Sequence, residues 1–285
     1  MFLLLTLGCV APAAPTHPQA SVPADTAEAE STQDDGPLEV EIPPAELSAA
    51  EVASAISALG SAGLPSPVAV QEVYLWRLED RSGDCPQGSE ANVTTPFGGC
   101  VAADGWTWSG IAEYAGELPE TPEVPKSFAL LGDLEVTSPE GERLVLAGQI
   151  SLELDADSDT WAIDYMGTWT WSLADGWLGL AGASAVYSAV GSTTDGTTIL
   201  TLDGSFHDGS HAVRLDEVAV SSVACGGEPV GRFELRDASG YWYALDGQDC
   251  GCGPVTWADG STLGEACVSL EAPLAELAQA MAGGL

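Results

Sequence analysis

The sequence predicts an all-β fold, a single antiparallel meander of about ten strands that forms a barrel or a sandwich. Three observations lead to this prediction. Apolar and polar residues alternate in short runs between residues 68 and 271, Asp-Gly or Gly-rich turns separate the runs, and six cysteines lie in the same region. Alternation with a period of two is typical of strands that bury one face, and paired cysteines would brace such a sheet.

The central hairpins are predicted from their Asp-Gly turns. A two-residue turn at Asp175–Gly176 places Tyr165 opposite Val186. The next hairpin must keep Val186 and Val190 on the same apolar face, because successive strand residues point to opposite sides. A three-residue loop at 194–196, with its glycine in a left-handed conformation, meets this condition.

The third hairpin is predicted to turn at Asp208–Gly209, which places Phe206 opposite His211. The same register leaves a mismatch further along, so we expect a β-bulge near Asp216–Glu217. It also puts His207 and His211 on opposite faces. This register argues against a metal site built from the two histidines.

Further strands and two short helices complete the predicted domain. Ser48 and Glu51 form a capping box, which predicts an N-terminal helix that ends near Gly60. A second helix is expected at the C-terminus, from Pro273 onward. The runs that we expect to extend the sheet lie at residues 68–78, 105–114, 128–136, 143–154, 228–236 and 241–246.

The cysteines predict three disulfides, because six of them in an exported chain are usually paired. Cys85 and Cys100 enclose a Gly- and Pro-rich loop and are the favoured pair. Three pairings stay open for the other four, although Cys250 and Cys252 are not expected to pair with each other. The six residues are Cys85, Cys100, Cys225, Cys250, Cys252 and Cys267.

The charge balance limits the classes of partner. Forty-three acids face seven Lys and Arg, which gives a formal net charge of −36. Nucleic acid binding needs clustered basic residues and is therefore not expected, and no polybasic patch is available for anionic lipid. Cations, basic proteins and glycans are the partners that such a surface admits.

The N-terminus has a short apolar stretch that ends at a cysteine. Residues 2–8 are largely apolar and end at Gly8-Cys9, with Thr6 two positions before the glycine. The stretch Leu5-Thr6-Leu7-Gly8-Cys9 resembles the lipobox of bacterial lipoproteins, although Thr6 stands where Leu is usual. The resemblance implies a signal peptide over residues 1–8 and a lipid on Cys9. It also implies export to the outer membrane or cell surface, with secretion or a periplasmic location as the alternative.

The residues after Cys9 are predicted to form a tether. Residues 10–46 contain seven Pro and eight acids, without Lys or Arg. Such a segment cannot bury enough apolar surface to fold. We therefore divide the chain into a signal peptide at 1–8, an acidic disordered tether at 9–46 and a β domain at 47–285.

Two candidate ligand sites stand out in the β domain. Asp155, Asp157 and Asp159 place carboxylates at alternate positions, as in the opening of a calcium loop, but Thr160 stands where an EF-hand requires glycine. The three residues form a weak calcium candidate. The side chains predicted to be exposed for glycan stacking are Trp177 and Trp242.

The sequence favours a non-enzymatic function. Three histidines and the absence of a G-x-S-x-G motif leave no basis for a serine hydrolase. The chain is interpreted as an envelope or surface lipoprotein with a binding, adhesive or structural role. The alternatives are a calcium-dependent glycan-binding protein and a secreted hydrolase that acts through two carboxylates.

Overall fold

The first helix begins at the predicted capping box. The structure is a computed structural model that describes residues 42–64, 66–79, 84–89, 91–118, 126–155, 159–172, 184–195, 197–221 and 223–270. Glu51 N donates to Ser48 Oγ, and Ser48 N donates to Glu51 Oε2 at 2.8 Å. Helix α1 covers Ala49–Gly63, so it continues one turn past Gly60. The predicted C-terminal helix lies outside the described residues.

A second helix, α2, covers Pro67–Glu79, where a strand was predicted. Gln71, Tyr74 and Leu78 are buried three or four residues apart, which is the spacing of one helix face. Pro67 occupies the first helical position, where its missing N–H costs no hydrogen bond. The Gln71 side-chain amide donates to Tyr114 Oη at 2.7 Å, and Tyr74 Oη donates to Ala91 O. The strand prediction for residues 68–78 is therefore wrong.

Thirteen antiparallel strands form one sheet, compared with the ten or so predicted. The sheet is a meander from β3 to β13, with β1 and β2 both paired to β3. Among the described residues the first and last strands do not pair, so the sheet is not closed. The strands are β1 Val93–Thr94, β2 Cys100–Val101, β3 Thr107–Gly116, β4 Phe128–Thr137, β5 Arg143–Asp155, β6 Thr160–Ser172, β7 Ser184–Thr194, β8 Thr197–His207, β9 Ala212–Ser221, β10 Val230–Arg236, β11 Trp242–Gly247, β12 Cys252–Thr256 and β13 Thr262–Cys267.

The helices pack on the apolar inner face of the sheet. Helix α1 contacts β8, β9, β10, β12 and β13, and α2 contacts β5. The segment before α1 is bonded to the same end of the sheet, because Trp257 Nε1 donates to Pro43 O at 2.9 Å and Tyr243 Oη accepts from Glu46 N and Leu47 N. The buried core therefore lies between the sheet and the two helices.

Four hairpin turns share one geometry. In each turn, the N–H of the first residue donates to the carbonyl of the residue four positions later. The carbonyl of the same first residue accepts from the N–H of a glycine three positions later. This is the three-residue loop in which the glycine has a positive φ. The turns are 102–106, 138–142, 237–241 and 257–261, with glycine φ values of 85° to 95°.

The hairpin of β7 and β8 has a different register from the one predicted. Thr194 pairs with Thr197, so the loop has two residues and not three. Tyr165 lies opposite Tyr187, and Val186 points outward. The buried side of β7 carries Tyr187, which is 3% exposed and stacks on Tyr165 with ring centroids 5.2 Å apart. Val186 and Val190 are 53% and 59% exposed, so their predicted place on the apolar face is wrong.

The β8–β9 hairpin has the predicted bulge but another register. His207 pairs with Ala212 across a four-residue loop, and Phe206 pairs with Val213, not with His211. The pairing shifts at Asp216–Glu217, where Glu217 has a φ of 49°. The β-bulge prediction is confirmed, while the predicted turn at this hairpin is two residues too short.

Two facing glycines mark the middle of the sheet. Gly148 pairs with Gly167 on the inner face, with φ values of 132° and 150°. A Cβ on Gly148 would lie 2.1 Å from Met166 O, and one on Gly167 would lie 2.2 Å from Ala147 O. The backbones therefore approach each other too closely for any side chain, which lets the strands bend at this point.

Three disulfides brace the domain, as predicted. Cys85 pairs with Cys100 across 15 residues, and Cys250 and Cys252 each have a different partner. The other bonds join Cys225 to Cys250 and Cys252 to Cys267, across 25 and 15 residues. The three closed segments follow one another along the chain without overlap.

Candidate functional site

Ion pairs cover the outer face of the sheet on β9, β10 and β11. Arg214 Nη1 lies 2.9 Å from Glu234 Oε2, and Arg232 contacts Glu234 and Asp246 at 3.0 Å. The Arg214 guanidinium also lies 5.0 Å from the centroid of the Trp242 ring. Trp242 pairs across the sheet with Arg236, which lines a cleft at the end of these strands.

The cleft, of about 370 Å³, opens between the tips of the β8–β9 and β10–β11 hairpins. His207 and Arg236 each lie opposite Ala212 on the outer face, one on either side of it. Because Ala212 has only a methyl group, the two longer side chains border a gap. Ser210 and His211 line the cleft from the first tip, and Asp237 lines it from the second.

The first tip is held together by the carboxylate of Asp208. Its Oδ1 accepts hydrogen bonds from His211 N at 2.7 Å, from Ser210 N at 2.9 Å and from Ser210 Oγ at 2.9 Å. The backbone N–H groups of His211 and Ser210 lower the pKa of Asp208 to about 2. The carboxylate is therefore charged at neutral pH and fixes the loop that carries His211.

Arg236 has no acidic partner in the described part of the chain. Its Nε donates to Gly240 O at 3.2 Å, and no carboxylate lies within ion-pair distance. His207 likewise makes no side-chain hydrogen bond there. The other described Lys and Arg residues each lie within 4.0 Å of a carboxylate; they are Arg77, Lys126, Arg143, Arg214 and Arg232. Two basic side chains without an acidic partner thus meet in one cleft of a very acidic protein.

Asp237 places a largely buried carboxyl group in the wall of the cleft. The residue is 9% exposed, and its Oδ1 accepts from Tyr241 N at 3.0 Å. Its Oδ2 is buried and has no donor among the described residues. Leaving such a group unsatisfied costs about 1–3 kcal/mol. Because this Oδ2 is buried, the groups that the cleft itself offers are the unused donors on Arg236.

The predicted ligand residues are only partly within the described chain. Asp155 ends β5 and lies opposite Thr160, while Asp159 has a φ of 51° in the connecting turn; Asp157 lies outside the described residues. No group of three or more His, Cys, Asp or Glu side chains arranged for a metal was found in the described part. Trp177 and Cys9 also lie outside it. Trp242 is half-buried, with the Arg214 guanidinium near its ring.

The histidines lie together, contrary to their predicted placement on opposite faces. His207 ends β8 on the outer face, and His211 lies in the loop because that loop has four residues. Both line the cleft. Sequence reasoning also missed Arg236, although an arginine at the end of a strand before an Asp-Ala-Ser-Gly turn could have been placed at a hairpin tip.

The comparisons with known proteins add no relative. Searches of protein-family models, of curated proteins and of solved structures found no match to this chain. Across the described residues, no helix combines the length and apolar character needed to span a membrane. The functional proposals below therefore rest on the residues and contacts of this chain.

Proposed function

We propose that the protein is an exported lipoprotein, anchored through Cys9, that displays its β domain at the cell envelope as a non-enzymatic binding module. The disulfides carry this proposal. All six cysteines of the β domain are paired, and such bonds persist in oxidising compartments outside the cytosol. Cys9 is the one remaining cysteine of the seven in the sequence.

The composition before the domain supports the same arrangement. Residues 10–41 are rich in Pro and acids and lack Lys and Arg, so they suit an extended, self-repelling spacer. Such a spacer in polyproline form spans about 3.1 Å per residue. A lipid on Cys9 followed by this spacer would hold the domain away from the membrane surface.

A binding role fits the outer surface of the domain. Its outer face carries ion pairs on β9 to β11 and ends in the cleft beside Arg236. The cleft is open and polar, and the terminal nitrogens of Arg236 make no hydrogen bond within the described chain. Such a site suits a small polar ligand, which would be bound without a chemical step.

The anchor is tested by labelling in a bacterial host. Cells that express the full-length chain are grown with radiolabelled palmitate and then fractionated. We expect label on the wild type in the membrane fraction and none on Cys9→Ala. Thr6→Leu restores the usual lipobox residue and serves as the matched control, with label equal to the wild type or greater.

Two results would contradict the anchor. Label that remains on Cys9→Ala would place the lipid elsewhere in the chain. A wild type that is soluble, unlabelled and unchanged by Thr6→Leu would show that residues 5–9 are not processed as a lipobox. Either result would leave the disulfide-braced domain intact as a separate conclusion.

A further inference from the structure

We propose that the cleft between the β8–β9 and β10–β11 hairpins binds the carboxylate and hydroxyl groups of a single acidic sugar, of the uronic acid class. The inference rests on the proposed binding function but not on the lipid anchor. The juxtaposition that carries it is Arg236 and His207 on either side of Ala212, with Asp237 in the same wall.

The anionic part of the ligand is assigned to Arg236. A guanidinium presents a planar set of donors that matches a carboxylate in bidentate geometry. Only Nε of Arg236 is engaged, by Gly240 O, which leaves the terminal nitrogens to face a ligand. Elsewhere in the described chain every Lys or Arg lies near a carboxylate of the protein itself. In a chain with a net charge of −36, an arginine without such a partner can form its ion pair with an anion from outside the protein.

The charge of the ligand is limited to one by the rest of the wall. Asp237 lies in the cleft wall, and the carboxylate of Asp208 lies in the adjoining loop. Both repel a multiply charged group such as phosphate, and the acidic surface as a whole repels a polyanion. A ligand with a single carboxylate forms one ion pair with Arg236 and is repelled by Asp237 and Asp208 less than a multiply charged ligand would be.

The remaining groups of the cleft favour hydroxyls over a purely apolar ligand. His207 offers a ring nitrogen as donor or acceptor, and Ser210 Oγ, whose hydrogen goes to Asp208 Oδ1, can still accept a hydrogen bond. Hydroxyl groups can both donate and accept, so a sugar ring satisfies this mixed set. Trp242, directly opposite Arg236 on β11, adds half-buried apolar surface beside the site. The volume of about 370 Å³ lies in the range typical of small-molecule sites.

The test is a calorimetric titration of the purified full-length chain with glucuronate, glucose, acetate and inorganic phosphate. We expect glucuronate to bind at least about tenfold more tightly than the other three, because only glucuronate engages both Arg236 and the hydroxyl partners. Arg236→Gln should weaken glucuronate binding by about tenfold to a hundredfold, the effect of losing a charge-assisted hydrogen bond.

Arg143→Gln is the matched control. It removes the same charge from an exposed arginine on β5 that is paired with Glu135 at 2.7 Å, and it should leave glucuronate binding unchanged. Equal binding of acetate would reveal a plain carboxylate site, and stronger binding of phosphate would reveal a general oxyanion site; each result overturns the sugar assignment. Unchanged glucuronate binding by Arg236→Gln, or no binding by a correctly folded wild type, overturns the site itself. Palmitate labelling at Cys9 is unaffected by any of these results, so the two proposals can fail separately.

Discussion

Reduction of the disulfides should remove most of the stability of the domain. A crosslink stabilises mainly by restricting the unfolded chain, and closure of about 15 residues contributes about 3 kcal/mol. Two of the bonds close segments of 15 residues, and the third closes one of 25. Because the segments do not overlap, their contributions should be nearly additive. The total, about 9 kcal/mol, is comparable to the whole stability of an ordinary domain.

Urea unfolding followed by circular dichroism measures this effect. We expect Cys252→Ala with Cys267→Ala to lower the free energy of unfolding by about 3 kcal/mol, and full reduction to unfold most of the protein without urea. The double variant is a clean single-bond control, because Cys252 and Cys267 pair directly across β12 and β13. A reduced protein whose midpoint equals that of the oxidised protein would refute the reasoning, as would a double variant as unstable as the fully reduced chain.

Two further predictions concern the register of β7 and the loop of the cleft. Val186→Asp should leave the melting temperature nearly unchanged, whereas Ala189→Asp should lower stability by more than about 3 kcal/mol, because Val186 is 53% exposed and Ala189 is 1% exposed; equal effects in thermal melts would contradict the register. The pKa of Asp208 is lowered to about 2 by its bonds from His211 and Ser210, so its stabilising effect is present above the ordinary carboxyl range and is lost as pH falls toward 2. Asp208→Asn should therefore lower the melting temperature at pH 7 and weaken its fall between pH 4 and pH 2; a variant with the wild-type pH profile would show that the loop bonds do not stabilise the fold.

The fold class and several local features could be predicted from the sequence. The start of α1 was predictable from the capping box at Ser48 and Glu51, because both hydrogen bonds of that motif lie within one helical turn. The bond between Cys85 and Cys100 and the bulge at Asp216–Glu217 were likewise predictable. Each depends on residues close together in the chain, or on the strict alternation of strand residues.

Features that depend on packing could not be predicted in this way. Residues 68–78 contain enough β-branched side chains to suggest a strand, but Gln71 and Tyr74 lie on one face of a helix and bond to Tyr114 and Ala91, which are distant in the sequence. On β7, Val186 is more apolar than Tyr187, yet the tyrosine is the buried residue: its ring stacks on Tyr165 and packs at a tilt against Phe206. A prediction from hydropathy alone therefore buries the wrong face of β7.

The cleft depends on a register difference that the sequence did not resolve. A two-residue turn at Asp208 would have placed His211 within the strand, whereas the four-residue loop brings it beside His207. The second wall comes from another hairpin, about 25 positions away in the chain. A sequence pattern describes each hairpin separately, so it contains no signal for a gap between their tips.

The order of the strands has a consequence for how the domain assembles. From β3 onward each strand pairs with the one made just before it, so the sheet can grow in the direction of synthesis through short-range steps. The segment before α1 behaves differently, because Pro43 is bonded to Trp257, 214 positions later. The residues before α1 can therefore form this bond only after the chain has been made as far as the turn that follows β12.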